Sequence, residues 1–201
     1  MIQGSEEWFQ ARCGKVTASR VSDVISKTKS GWGASRANYM AELIAERLTG
    51  VPATSYTNQA MQWGIDTEPQ ARDAYAFYTD FQVEEVGFVV HPEIEASGAS
   101  PDGLISDIGL VEIKCPNTAT HIDTLLGQKI PDKYLTQMMW QMVCTERKWC
   151  DFVSFDPRMP ERLRLFVTRF HYNEATAETL TEAVKQFLGE LDEKLEKLGG
   201  L

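Results

Sequence analysis

The sequence predicts an α/β domain with a central mixed β-sheet flanked by helices, and three observations carry that expectation. Apolar residues recur at helical spacing through the first third of the chain and again over residues 174–198. The middle changes period, to short runs rich in β-branched and aromatic residues that suit strands. One stretch of helical length lies between those runs, as a mixed sheet requires of its crossovers. The 201 residues hold no repeat, low-complexity tract or long linker, so one domain spanning 1–201 is expected.

In chain order, Thr17-Ala18-Ser19 offers hydroxyls that suit the start of a helix, with Val21, Val24 and Ile25 on one face. Residues 27–36 (KTKSGWGASR) are basic and glycine-containing and are expected to form a mobile loop. Ser35 is placed to cap a second helix that turns Met40, Leu43, Ile44 and Leu48 inward and ends at Gly50. A third helix is expected over roughly 58–79, where Pro69 removes a backbone donor and makes a kink plausible. Strands are expected at 83–91, 109–115, 150–156 and 163–171, with a helix over 133–147. The last helix carries Leu180, Val184, Phe187, Leu188, Leu191 and Leu195 on one stripe; its acidic far face is most simply a solvated surface.

Composition narrows the function classes. With 43% hydrophobic and 24% charged residues the chain is typical of a water-soluble protein, and no apolar run approaches a membrane span. The N-terminus is acidic and polar, unlike a secretion signal, so a cytoplasmic location is expected. Cys13, Cys115, Cys144 and Cys150 fit free thiols there, and no CxxC or HxxxH spacing supports a zinc site. A net charge of −9 argues against a nucleic-acid coat protein, but the charge is divided. Residues 1–40 hold six basic against three acidic side chains, whereas residues 174–198 hold seven acids against three lysines.

The stretch SPDGLISDIGLVEIKCP (100–116) carries the chemistry. Asp102 lies between a proline and a glycine, at a turn entering a strand. After nine intervening residues comes Glu112-Ile113-Lys114, inside the apolar run GLVEIKC. Strand alternation projects Glu112 and Lys114 from one face and Val111, Ile113 and Cys115 from the other. A hairpin between 102 and 114 brings Asp102 beside Glu112, and two such carboxylates repel unless a cation intervenes. Mg²⁺ suits that place, being hard, oxygen-seeking and willing to keep waters that phosphate oxygens replace. Such a site serves phosphodiester hydrolysis, with Lys114 adding a cation near the reacting phosphate. The plain alternative is a charged ladder on an edge strand, with Asp102 a turn residue.

Flanking residues add to this reading. Glu68 on the third helix is positioned to aim a further carboxylate at the same place, or simply faces solvent. Gln137, among Leu135, Met138, Met139, Trp140 and Met142 and with Tyr134 and Gln141 one turn to either side, serves either a polar site or the core. Arg12 and Lys15 precede the hydroxyl-bearing start at Thr17–Ser19, so two cations meet free backbone N–H groups, a combination suited to phosphate. A capped surface helix with scattered basic residues accounts for the same pattern. Lys27, Lys29, Arg36 and Trp32 form a strip that either tracks a phosphate backbone or is a solvated loop.

Taken together, these residues resemble the phage lambda exonuclease family, the YqaJ-like viral recombinase nucleases of the PD-(D/E)xK superfamily. The resemblance runs through W-x3-R-x4-VTAS (Trp8 to Ser19), WG-x3-E (Trp63 to Glu68), SPDG (Ser100 to Gly103), ExKCP (Glu112 to Pro116), Y-x2-Q (Tyr134 to Gln137) and DPRM (Asp156 to Met159). It departs in the short stretch before Trp8 and in Pro69. It implies a restriction-endonuclease-like core and a ring-shaped homotrimer that digests double-stranded DNA 5′ to 3′, leaving a 3′ single strand for a single-strand annealing protein. Asp102, Glu112 and the Ile113 carbonyl would then ligate Mg²⁺, for which Mn²⁺ substitutes. Lys114 and Gln137 would attend the attacking water, and Glu68 would act through water or a second metal. Arg12, Ser19 and Ser100 would hold the 5′ phosphate, and Met61 would wedge apart the terminal base pair. A bacterial host cell and a phage or prophage origin follow from the same resemblance. An endonuclease with the same core and a non-catalytic DNA-end clamp are the competing readings.

Overall fold

The computed structural model describes residues 1–29, 31–53 and 58–199. In order, the elements are α1 (Glu6–Arg12), β1 (Val16–Thr17), a 3₁₀ turn (Ala18–Arg20), α2 (Val21–Val24), β2 (Lys27–Thr28), β3 (Gly31–Trp32), α3 (Ala34–Thr49) and α4 (Gln59–Thr79). There follow β4 (Val89–Val90), β5 (Ser97–Ala99), β6 (Gly103–Ile105), β7 (Gly109–Lys114), α5 (Thr118–Gly127), α6 (Asp132–Thr145), β8 (Trp149–Phe155), β9 (Leu165–His171) and α7 (Glu174–Gly199). The fold is mixed α/β, with mixed sheets and flanking helices as predicted.

The main sheet has the order β6-β7-β8-β9. Its outer pairs are antiparallel, and its central pair, β7 with β8, is parallel, with α5 and α6 providing the crossover. A three-stranded sheet, β1-β5-β4, stands apart. All seven residues of β8 are buried, Asp151 and Ser154 among them. One face of the main sheet packs on α6, and α6 packs on α7, with Met138, Met139, Trp140, Met142, Leu180, Val184, Phe187, Leu188 and Leu191 in one cluster. The other face packs on α4, where Ala71 and Tyr75 meet Val111, Ile113, Cys115 and Val153. Burying each large apolar side chain is worth about 1.5–3 kcal/mol, so the α7 stripe secures that helix.

Several boundaries differ from the sequence reading for identifiable reasons. The third helix starts where expected, with Asn58 accepting from the Met61 amide, and helical geometry continues through Pro69. The second helix does end at Gly50, whose φ of 68° suits glycine, but it begins at Ala34 behind Gly33, so Ser35 lies inside it. Residues 83–91 form only Val89–Val90 and a Glu84–Leu104 bridge. Gly87 interrupts the run, and a Cβ there would lie 2.8 Å from the Met1 carbonyl oxygen. The expected helix start at Thr17 is β1 followed by a 3₁₀ turn and a four-residue helix, with no side-chain cap from Thr17. Most of residues 27–36 form a two-stranded hairpin and the start of α3, with Ser30 outside the described residues. Arg36 is not part of a surface strip: it is buried, donates to the Val24 carbonyl and pairs with Glu190 at 2.7 Å. That pair, with Arg47–Asp192, also uses part of the acidic face of α7 that sequence alone leaves to solvent. The described cysteines are free thiols, with Cys115, Cys144 and Cys150 buried. Among the described residues no helix is long and apolar enough to cross a membrane.

Candidate active site

The β6–β7 hairpin puts Gly103 opposite Val111, and so sets Asp102 beside the Glu112 end of β7. The glycine after Asp102 is required by a close approach: a Cβ there would lie 2.2 Å from a Val83 methyl. Asp102 Oδ2 accepts the Ile113 amide at 2.6 Å, which ties the turn to the strand. Its Oδ1 carries no hydrogen bond among the described residues. Glu112 is fully buried, on the face predicted by strand alternation. Gln137 Nε2 donates to its Oε1 at 2.6 Å, Gln141 Nε2 donates to its Oε2 at 2.6 Å, and Lys114 Nζ pairs with Oε1. Lys114 also lies 5.3 Å from the Tyr134 ring centroid.

Burial first, and then the neighbouring Glu112 charge, push the Asp102 carboxyl well above its usual range. Burial alone would lower Lys114, but the carboxylates of Glu112 and Asp102 outweigh it and hold the ammonium above its ordinary value. Lys114 therefore stays charged. Glu68 is raised chiefly by burial, against the opposing pull of Arg72, which it meets at 2.6 Å. Arg72 also reaches Glu85 at 3.0 Å, so Glu68 belongs to an ion chain that borders the carboxylate pair.

Asp102 and Glu68 share a groove of about 920 Å³ with Arg12, Ser19, Arg20, Met61 and Ile65, which Glu42, Glu46 and Glu85 also line. Arg12 is stacked 4.0 Å over the Trp8 ring and donates to Ser100 Oγ at 3.3 Å; the Trp8 indole also donates to Ser100 at 2.9 Å. Burial lowers the Arg12 pKa, and Arg12 has no carboxylate ion pair among the described residues. This is the local environment of an anion site. A smaller cavity of about 160 Å³ joins Arg12, Ser19 and Ser100 to Gln137 and Gln141. Lys15 also lines the larger groove, but its ammonium is bonded to the Glu95 carbonyl. Met61 and Ile65 are apolar and exposed at the cleft, at 52% and 60%.

The candidate residues therefore converge, with two qualifications of role. Gln137, given a part at the water by resemblance, has its amide engaged with Glu112 here. Ser19 sits on a 3₁₀ turn 3.4 Å from Thr17 Oγ1, so a phosphate there would rely on side chains and local N–H groups, with little macrodipole behind them. Sequence reasoning set Gln141 one helical turn from Gln137 but gave it no role of its own; the spacing of four was the available signal.

A divalent cation fits this donor set. Asp102 and Glu112 are hard oxygen ligands held together at a cost that a cation relieves. Among the described residues no group of three or more His, Cys, Asp or Glu forms a cage, so backbone and solvent oxygens must complete any coordination.

The model of the YqaJ-like viral recombinase domain matches residues 7–148. The chain belongs to the YqaJ-like viral recombinase family. Among solved structures, the alkaline exonuclease LHK-Exo from Laribacter hongkongensis is 51% identical, with a TM-score of 0.90 over 97% of this chain and 96% of that one. The same protein in complex with dAMP gives 52% identity and a TM-score of 0.90, covering 96% of each chain. A phage-related exonuclease from Haemophilus somnus 129PT shares the fold, at 16% identity and a TM-score of 0.74 over 92% of this chain and 96% of that one. No curated protein matches in sequence. Close structural neighbours of this YqaJ-like chain are thus alkaline exonucleases.

Proposed function

We propose that the chain is a Mg²⁺-dependent exonuclease that hydrolyses one strand of double-stranded DNA, 5′ to 3′, from a 5′-phosphorylated end. The observation that carries this reading is the cleft: Asp102, the neighbour of Glu112 and Lys114, stands on one wall, and half-buried Arg12, with no carboxylate ion pair among the described residues, on another. The close likeness to an alkaline exonuclease supports the reaction class.

Asp102 and Glu112, with the Ile113 carbonyl, would hold Mg²⁺, or Mn²⁺ in its place. Bound there, the cation supplies a Lewis acid beside the phosphate and acidifies water. Lys114, kept protonated, sets a positive charge where phosphate charge builds, and with Gln137 orients the attacking water. Glu68 acts through water or a second cation. Arg12, Ser19 and Ser100 grip the terminal 5′ phosphate, while Met61 pries at the last base pair. The further expectations are a homotrimeric ring around the duplex, a single-strand annealing protein as partner and homologous recombination in the cytoplasm of a bacterial phage host.

The test compares linear duplex with 5′-phosphate ends, linear duplex with 5′-hydroxyl ends and closed circular DNA. Phosphorylated ends should be digested at least ~10-fold faster than hydroxyl ends, the scale of one charge-assisted contact, and the circle should survive. Comparable cutting of the circle would establish an endonuclease instead. End binding without hydrolysis would establish a clamp.

A further inference from the structure

We propose that Gln141 is a positioning residue for Glu112, anchoring one carboxylate oxygen so that the plane of the group is fixed for a divalent cation. The inference rests on the reading of Glu112 as a cation ligand. Glu112 Oε1 is held by Gln137 and Lys114, whereas Oε2 takes its hydrogen bond from Gln141 Nε2, at 2.6 Å. The terminal torsion of a glutamate is broad, so a carboxylate anchored at one oxygen swivels. Anchoring the second oxygen removes that freedom. Gln137 and Gln141 are four apart on α6 and present their amides on one side of the helix, gripping both ends of the same group.

Packing does not account for the amide. An ionised carboxylate only accepts, so Gln141 must turn its NH₂ toward Glu112. Its Oε1 is then buried with no hydrogen-bond partner. Met138, Met139, Trp140 and Met142 around it on α6 are fully buried, and a hydrocarbon side chain would fill the same space without stranding a carbonyl. The donor is what the position gains. Gln141 also lines the small cavity with Arg12, Ser19 and Ser100, so the clamp lies in the wall between the carboxylate pair and the anion pocket.

The test is calorimetric titration of Mg²⁺ into the wild type, Gln141→Met and Gln141→Asn, with the Mg²⁺ dependence of hydrolysis measured alongside. Methionine keeps the volume and removes both the donor and the stranded oxygen; asparagine keeps an amide one methylene too short. Both variants should bind Mg²⁺ roughly 10- to 100-fold more weakly, with activity partly recovered at high Mg²⁺ and KM for duplex DNA unchanged. Gln141→Met relieves the stranded amide oxygen but leaves Glu112 Oε2 without its donor, so its Tm should fall modestly; if it does not fold, Gln141→Asn decides by the same titration. Wild-type Mg²⁺ affinity in a folded variant overturns the clamp. A wild type that takes up no Mg²⁺ instead removes the reading of Glu112, and so the two failures are told apart.

Discussion

The paired strands β7 and β8 carry buried carboxylates on opposite faces, and the two are treated in opposite ways. Asp151, opposite Val111 in register, faces α4 and is fully answered: Arg169 grips both its oxygens at 2.7 and 2.8 Å, and the Tyr75 hydroxyl donates at 2.7 Å. Arg169 is in turn stacked 3.6 Å over Trp149. On the other face Glu112 shares a single lysine with Asp102, and Asp102 has an oxygen to spare and a raised pKa. A carboxylate closed by a bidentate arginine has no capacity left for a ligand, whereas a crowded pair short of positive charge does. Burial does not distinguish structure from function here. The balance of charge does.

The largest effect that would sharpen this contrast is catalytic. Asp102→Asn keeps an acceptor for the Ile113 amide but removes the charge, and should cost about 10³-fold in hydrolysis. Its Tm should hold or rise, because carboxylate repulsion is relieved. Lys114→Ala should lose activity on a similar scale while retaining duplex binding, read by a gel shift. Unchanged hydrolysis in either variant breaks the assignment.

Next comes a stability effect with no catalytic counterpart. Asp151→Ala should destabilise the fold by about 2–4 kcal/mol in denaturant unfolding, somewhat below the range for a fully buried pair because the Arg169 side chain is 37% exposed. Its Mg²⁺ affinity should not change. A third carboxylate, Asp156, is bonded by Arg158 and Thr118, and Arg158 also stacks on Trp63 and donates to the Pro116 carbonyl. Burial opposes its ionisation, but the Arg158 and Thr118 hydrogen bonds prevail and depress its pKa from 3.8 to about 2. A depressed acid stabilises above its unfolded pKa and loses that contribution as pH falls through the folded one. On the order of 2 kcal/mol should therefore disappear between about pH 4 and pH 2, and Asp156→Asn should flatten that part of the stability curve. The smallest effect concerns the basic hairpin. Lys27→Ala with Lys29→Ala should leave stability within ~0.5 kcal/mol and lessen the salt dependence of DNA binding, whereas Arg36→Ala should destabilise without altering it.

The same contrast explains what was legible in the sequence. Asp102, Glu112 and Lys114 could be placed because a proline-aspartate-glycine turn and a period of two are local signals, and the hairpin register follows from them. The long helices were legible from their stripes. Gln141 could be set beside Gln137, but its role could not be read, because that depends on which carboxylate it meets across 29 residues of chain. The fate of Arg36 depended on Glu190, 154 residues away. Strands β1 and β5 have two or three residues each, too few to display a period, and Ser97–Ala99 contains no β-branched residue. Helix α5 has an N-cap signal in Asn117, but residues 118–127 mix threonine and small residues and show no clear stripe.

The central claim is that the Asp102–Glu112 pair, and not Asp151, which is as buried as Glu112, is the seat of a divalent cation. Calorimetric titration of Mg²⁺ into the wild type, Asp102→Asn and Asp151→Asn tests it most directly. The account predicts binding of similar affinity in the wild type and Asp151→Asn, and none in Asp102→Asn over the same concentrations. Undiminished binding by Asp102→Asn, or its loss in a folded Asp151→Asn, would contradict it.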